Sequence, residues 1–240
     1  MELFLYSFIA WLLGGIINGI AGFGAAMIAM PILALGISLD IALPACTLIV
    51  LLASIHMTYK YRTFKDITRS KGIIIGSIPG AIFGLTLFFY LPEVAMKLWF
   101  GSFLIIYSLW SLFGKLDTQK VISPNWGYLA GFVSTSFGTT LGFNAPPLVI
   151  YFSLSGLNKD DLKSALSIFN VITCIIIVTS QAMANLYSTK VFMSVLAGAI
   201  AVFIGNSIGI DLSKRISEKM FRRILYMFLC IMGTSILVRI

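Results

Sequence analysis

Apolar residues run along most of this chain in long stretches, and short polar loops separate them. The first stretch extends from Leu3 to Leu39 and contains the cluster Gly19-Ile20-Ala21-Gly22-Phe23-Gly24 in its middle. A straight helix of that length would measure about 55 Å at a rise of 1.5 Å per residue, whereas a hydrocarbon core is about 30 Å thick. Glycine tolerates the irregular backbone of a tight turn, and such backbone is found at membrane depth only where protein buries it or it lines a cavity. The pattern therefore predicts a broken helical hairpin over residues 3–38, with its tip at the glycines.

The stretches after the first hairpin divide the chain into two similar halves. In the first half, residues 1–113, the predicted membrane helices are 41–59, 72–91 and 95–113. A polar linker over residues 114–125 leads to the second half, 126–240, which opens with another long apolar run, residues 126–157, interrupted by glycines and prolines. The predicted membrane helices there are 164–184, 191–210 and 221–238. When the halves are overlaid, the aligned pairs include Gly15 with Gly131, Gly22 with Gly138, and Pro31 with Pro147.

This order predicts an all-α polytopic membrane protein of two repeats, each a broken or re-entrant hairpin followed by three transmembrane helices. The helix predicted at 72–91 also carries a glycine at every fourth position, Gly72, Gly76, Gly80 and Gly84. Such a face of small residues predicts that a neighbouring helix packs closely against it.

The basic residues indicate how the two repeats are oriented. If each long run crossed the membrane once, nine would lie on one side and eight on the other. If each long run enters and returns on the same side, fourteen lie in the cytoplasm and only three, Lys97, Lys190 and Arg239, lie outside. An excess of Lys and Arg in cytoplasmic loops is typical of membrane proteins. We therefore expect inverted repeats, with the first hairpin entering from outside, the second from the cytoplasm, and the linker 114–125 in the cytoplasm.

Composition agrees with a membrane location, since 59% of the residues are hydrophobic and 11% are charged. The net charge of +8 comes from loops beside apolar stretches, so orientation in the membrane explains it better than binding to nucleic acid, which we do not expect. The three cysteines, Cys46, Cys174 and Cys230, all lie within apolar stretches, where packing is their default role. We expect neither a cofactor nor a metal site.

Inverted hairpins would bring their tips, residues 18–26 and 134–146, together near the middle of the membrane. The returning arm of each hairpin starts at its tip, so its unpaired N–H groups and the positive end of its helix dipole face the shared space. Such a helix end binds anions readily. Because short uncharged side chains surround the tips, a neutral solute remains an alternative ligand.

The candidate substrate-binding residues are Asn18, Gly22, Phe23, Gly24, Ser134, Ser136, Gly138, Thr139, Thr140, Gly142, Phe143, Asn144 and Asn170. Helix–helix hydrogen bonding or packing is the competing role for the asparagines, phenylalanines and glycines among them. His56, the single histidine, is a candidate for a proton-linked role, with a packing role as the alternative.

Two blocks of the sequence resemble the signature blocks of the TauE/SafE sulfite exporter family. The first is Gly19-x-x-Gly22-Phe23-Gly24 followed by Pro31 and Gly36, and the second is Gly142–Tyr151 followed by Gly156-Leu-Asn-Lys-Asp. The resemblance covers essentially the whole chain in length, repeat and block order. It implies secondary transport of a small sulfur oxyanion or organosulfonate across the plasma membrane of bacteria. The chain departs from the commonest pattern at Ala25-Ala26 and Phe143-Asn144, where further glycines are frequent in the family.

The leading functional prediction is a multi-pass transporter of the bacterial inner membrane that exports sulfite or an organosulfonate by alternating access between the hairpin tips. Its expected partners are the small anion and the lipid bilayer. An anion channel, or a transporter of another small organic anion or a neutral solute, is the alternative. An intramembrane enzyme is less favoured, because the sequence lacks a Ser/His/Asp set, a metal-ligand cluster or twin carboxylates within the apolar stretches.

Overall fold

The computed structural model describes residues 2–21, 24–60, 67–113, 123–155, 159–213 and 218–238. In these ranges the chain forms ten α-helices and no strands, which confirms the all-α prediction. The helices of the first half are α1 (Glu2–Ala21), α2 (Ala25–Ala34), α3 (Leu39–Lys60), α4 (Ile67–Tyr90) and α5 (Glu93–Phe113). Those of the second half are α6 (Trp126–Leu141), α7 (Ala145–Ser153), α8 (Lys159–Met183), α9 (Thr189–Leu212) and α10 (Glu218–Val238).

Five helices are long and apolar enough to cross a membrane. They are α3, α5, α9, the stretch Lys71–Tyr90 of α4 and the stretch Ser164–Met183 of α8. Each coincides with a predicted membrane helix to within a few residues. The remaining predicted helix corresponds to α10, whose stretch Tyr226–Val238 is one of the shorter apolar helices. The prediction of a polytopic membrane protein is thus confirmed.

Each long apolar run consists of two helices that fold back on each other. Glycines in the left-handed region allow the turns: Gly24, with φ 98°, precedes α2, and Gly142, with φ 80°, follows α6. At the open end of the first pair, Gly36 lies against the ring of Tyr6. At the open end of the second pair, the Tyr151 hydroxyl lies 3.4 Å from the carbonyl oxygen of Pro124, to which it donates. In each hairpin, the start of the first helix and the end of the second helix therefore lie close together, opposite the turn.

The first helix of each hairpin runs parallel to a helix of the other half. On α1 and α9, the Ser7 and Ser194 hydroxyls lie 2.9 Å apart near the start of both helices. On α6 and α4, the Thr140 hydroxyl donates to the Gly84 carbonyl at 3.1 Å towards the end of both helices. The two partner helices hold equivalent positions, since α4 is the second-last helix of the first half and α9 is the second-last helix of the second half. Exchanging the two halves therefore maps one helix pair onto the other.

Glycines let these parallel pairs approach to backbone contact. A methyl group at Gly76 would overlap the backbone of Tyr128, and one at Gly80 would overlap the backbone of Phe132. On the other pair, a methyl group at Gly209 would overlap the backbone of Ile16. The close packing predicted from the glycine spacing on α4 is confirmed, and it fastens each hairpin to a helix of the opposite half.

Candidate functional site

The tips of the two hairpins line one cavity. The first tip contributes Asn18, Gly24, Ala25, Ala26 and Met27, and the second contributes Phe143, Asn144 and Ala145. The remaining wall comes from Val50, Ala53 and Ser54 of α3 and from Asn170 of α8. No charged side chain is among these lining residues. The space in which the centre of a water-sized molecule fits is about 20 Å³, which is enough for one water.

The helix that starts at the first tip has its N-terminus at the cavity. Helix α2 begins after Gly24, which provides no side-chain cap, and its first residues, Ala25, Ala26 and Met27, are buried and line the cavity. The first N–H groups of a helix have no carbonyl partner within the helix, and they carry the positive end of its dipole. The first tip thus combines three amide donors with a partial positive charge and no competing acceptor from a capping side chain.

The second tip is poorer in amides, although its geometry is similar. Helix α7 begins after Asn144, whose side chain makes no capping bond, and prolines occupy its first turn, as expected for Pro146. Because Pro146 and Pro147 carry no N–H, Ala145 is left as the first amide donor at this end. The N-terminus of α2 therefore has more amide donors than the N-terminus of α7.

Three asparagines place amide side chains at the cavity, and each is more than nine-tenths buried. The Asn18 Nδ2 donates to Asn206 Oδ1 at 3.0 Å, which links α1 to α9. The Asn144 Nδ2 donates to Thr173 Oγ1 at 2.7 Å and also approaches the Cys174 Sγ at 3.7 Å. The Oδ1 of Asn170 is buried without any hydrogen-bond partner.

Phe143 also lines the cavity and is 1% exposed. Its ring packs at 5.3 Å from the rings of both Phe100 and Phe103 on α5, in a tilted arrangement. The second tip is therefore held against α5 by an aromatic cluster, and Phe143 separates this cluster from the cavity.

The predicted hydroxyl residues of α6 do not line the cavity. The Ser136 hydroxyl lies 2.7 Å from the Phe132 carbonyl of its own helix and 3.1 Å from the Gly80 carbonyl of α4. The Thr140 hydroxyl donates to the Gly84 carbonyl, and the Thr139 hydroxyl donates to the Thr135 carbonyl of its own helix at 2.8 Å. The Ser134 hydroxyl donates to the Asn144 carbonyl at 2.7 Å and so braces the second tip from behind. These groups position the hairpin.

The predicted glycines take structural positions around the tips. Gly138 packs against Asn144 and the side chain of Ile177 on α8, and Gly142 packs against Met30 and Leu43. The carbonyl of Gly142 accepts a hydrogen bond from the Cys46 Sγ at 2.9 Å. The predicted site residues Gly22 and Phe23 lie outside the described residues.

His56 lies on α3 but is not among the cavity residues. Its ring packs edge-to-face on Phe203 at 5.3 Å, and its Nδ1 is buried without a hydrogen-bond partner. Its proton-linked role stays a prediction.

Sequence reasoning did not single out Ser54, Cys46 or Cys174 as site residues. Ser54 lines the cavity, and the two thiols contact the second tip from α3 and α8. The available signal was their position, since all three stand in the helix that directly follows a hairpin.

The fold and the cavity define a polytopic membrane protein in which two broken hairpins enclose an uncharged, amide-rich site. The chain belongs to the Sulfite exporter TauE/SafE family, whose model matches residues 7–236. This match confirms the resemblance carried by the two glycine blocks, and it places the protein in a family of membrane transporters. Searches among curated proteins and solved structures gave no significant match.

Proposed function

We propose that the protein is a secondary transporter that exports sulfite or a related organosulfonate across the bacterial plasma membrane. The observation that carries this proposal is the uncapped N-terminus of α2 at a cavity to which both hairpin tips contribute. A small anion bound there would accept hydrogen bonds from the Ala25, Ala26 and Met27 amides and neutralise the helix dipole without any basic side chain. Family membership supports an anion of this class as the substrate and transport, not catalysis, as the activity.

The proposed mechanism is alternating access between two inverted repeats, residues 1–113 and 126–240. The repeats would be joined by a cytoplasmic linker at 114–125. Two observations support it: the parallel pairing of α1 with α9 and of α6 with α4, and the return of each hairpin to its starting side. In this arrangement the first tip closes the site from outside and the second tip closes it from the cytoplasm. Each hairpin packs on a helix of the other half. A shift of one half relative to the other would therefore open the site at one tip while it closes the site at the other tip.

The size of the cavity fits a closed state in this cycle. Its space of about 20 Å³ holds one water, whereas sulfite has four non-hydrogen atoms. Binding would therefore widen the space between the tips, and this coupling of binding to tip separation is what alternating access needs. A channel would instead keep a continuous polar path.

Ala26→Pro tests the α2 amides directly. Ala26 is the second residue of α2, where proline removes one free N–H without removing a helical hydrogen bond, and Pro146 already occupies the second position of α7. We expect at least a five-fold weaker apparent affinity for sulfite in proteoliposomes, since a hydrogen bond to a charged group contributes about 1.5–3 kcal/mol. Val94→Pro, at the second position of α5 and away from the cavity, is the matched control.

The flux assay also separates the functional classes. A transporter gives saturable sulfite flux that Ala26→Pro shifts to higher concentration and Val94→Pro leaves unchanged. Unitary conductance without saturation would identify a channel instead. Saturable flux that is identical in both variants would remove the α2 terminus from the binding site.

A further inference from the structure

At the cavity, the side-chain oxygen of Asn170 is buried and has no hydrogen-bond partner among the described residues. Asn170 is 6% exposed and lines the cavity, and its Oδ1 is buried without a partner. The side chains of Asn18 and Asn144 are each anchored by an amide hydrogen donated to a neighbouring helix, whereas no side-chain hydrogen bond of this kind anchors Asn170 in the part of the chain that the structure describes. Buried acceptors without partners are rare in folded proteins, so each one needs an explanation, such as a hydrogen-bond donor on a bound ligand.

Within the described ranges, no neighbouring protein group donates a hydrogen bond to this oxygen. The Asn144 Nδ2 is directed to Thr173 Oγ1, and the Thr173 hydroxyl in turn donates to the Phe169 carbonyl at 2.8 Å. The neighbouring donors on α8 are thus engaged within the fold. A ligand that enters the cavity, which Asn170 lines, is the remaining source of a donor for this oxygen.

This requirement means that a negative charge alone is not enough for a ligand to satisfy the cavity. Amides of α2 provide donors for anionic oxygens, while Asn170 Oδ1 provides an acceptor within the same cavity. A fully deprotonated anion without N–H or O–H groups would satisfy the amides and leave the Asn170 oxygen unpaired. A site built to hydrogen-bond an OH or NH group rejects analogues that lack it, because its own polar group is then stranded.

We propose that the site selects a monoanion that carries its own donor hydrogen, and that this hydrogen is bound by Asn170 Oδ1. The proposal rests on the proposed function, since it deepens the choice of substrate at the same cavity. Two ligand types share this chemistry: a singly protonated oxyanion such as bisulfite, and a sulfonate bearing a hydroxyl or amino group. The small cavity favours the first type.

A pair of isosteric monoanions tests the proposal at one pH. Sulfamate and methanesulfonate have the same charge and nearly the same shape, but only sulfamate carries N–H donors. Binding to the purified full-length protein in detergent is measured by calorimetry. We expect sulfamate to bind about ten-fold more tightly or better, and we expect Asn170→Ala to reduce this ratio to about one. Asn125→Ala is the control, because Asn125 is exposed and occupies the N-cap position at the end of α6 that is remote from the cavity. This substitution should leave the ratio unchanged.

A second pair, isethionate and propane-1-sulfonate, distinguishes the two ligand types. A preference for sulfamate without binding of either larger anion supports the protonated oxyanion, and a preference for isethionate supports the substituted sulfonate.

Each remaining outcome has one reading. Equal affinities for the two anions of each pair in the wild type would leave the anion site intact and overturn the requirement for a donor hydrogen. A preference for the donor-bearing anion that persists in Asn170→Ala would overturn the role of Asn170. If none of the four anions binds, the proposed anion site fails, and this inference fails with it.

Discussion

Asn18 on α1 and Asn206 on α9 share a side-chain hydrogen bond of 3.0 Å that joins the two halves of the chain beside the cavity. Both residues are buried, and Asn18 also lines the cavity. The first hairpin tip is therefore tied, through a cavity residue, to a helix of the other half of the chain. Movement of α9 would reach the cavity through this pair.

The Asn18–Asn206 pair predicts a measurable coupling energy. We expect Asn18→Ala and Asn206→Ala to be non-additive, with a coupling of about 0.6–1.7 kcal/mol, the range seen for hydrogen bonds between membrane helices. The free energy of unfolding of the single and double variants in detergent provides the double-mutant cycle. Ser207→Ala, at the next and exposed position of α9, serves as the control. Strictly additive losses would mean that the bond contributes nothing to the contact between the repeats.

Two glycines of the α4 ladder predict responses of different size to the same substitution. A methyl group at Gly80 would overlap the Phe132 backbone, whereas at Gly72 the nearest atom would lie at 3.3 Å. Gly80→Ala should destabilise the protein by about 1–3 kcal/mol through overpacking, and Gly72→Ala should change stability by much less. The apparent melting temperature in detergent compares the two variants. Similar melting temperatures for both would contradict backbone contact between α4 and α6.

The contact between Cys46 and Gly142 predicts a dependence on the donor atom at position 46. The thiol donates to the Gly142 carbonyl at 2.9 Å and steadies the turn of the second tip. Cys46→Ser keeps a donor there, whereas Cys46→Val keeps the size but strands the carbonyl, at a cost of about 1–3 kcal/mol. We expect the valine variant, but not the serine variant, to melt earlier and to transport more slowly.

The half-exposed Cys230 on α10 offers the matched control for this series. Cys230→Val should behave like the wild type in both assays. If Cys46→Val also behaves like the wild type, the thiol only fills space.

A three-residue cluster at the end of α8 predicts an ordered series of stability losses. The Thr47 and Tyr187 hydroxyls both donate to the Oε1 of Gln181, at 2.6 Å and 2.9 Å, and so join α3 to the α8–α9 loop. Gln181→Leu strands both donors and should cost about twice as much as Tyr187→Phe, for which we expect about 1 kcal/mol. Chemical denaturation in detergent measures both. Equal losses would show that the Tyr187 bond carries the whole contact.

The same cluster predicts a specific loss of stability in alkali. Burial, with a smaller contribution from Cys174, raises the pKa of Tyr187 to about 12, although the Thr47 hydroxyl of the same cluster acts in the opposite direction. The folded state then holds the phenolic proton more tightly than the unfolded state, whose value is near 10. This contribution is complete below pH 10 and is lost as the pH rises towards 12. Tyr187→Phe should show a shallower fall of melting temperature between pH 9 and 11, and a parallel fall would contradict the assignment.

The chain's own pattern of residues determined the membrane helices, the two breaks and the close packing along α4. These features are local, because an apolar stretch of sufficient length, a glycine cluster and a small-residue face each leave a periodic trace in sequence. The blocks Gly19–Gly24 and Gly142–Tyr151 were also enough to indicate the family, which the match over residues 7–236 confirmed.

Only the tertiary structure decided which polar groups face the cavity. A hydroxyl in an apolar helix can bond a carbonyl of its own helix or of a neighbour, and the rotation of the helix chooses between these and a cavity. Ser136 and Thr140 were therefore expected at the tip, but their hydroxyls lie against carbonyls of α6 and α4, while Ser54, which was not expected, lines the cavity. Asn170 acquires its unpaired oxygen for the same reason, since its surroundings are assembled from helices far apart in sequence.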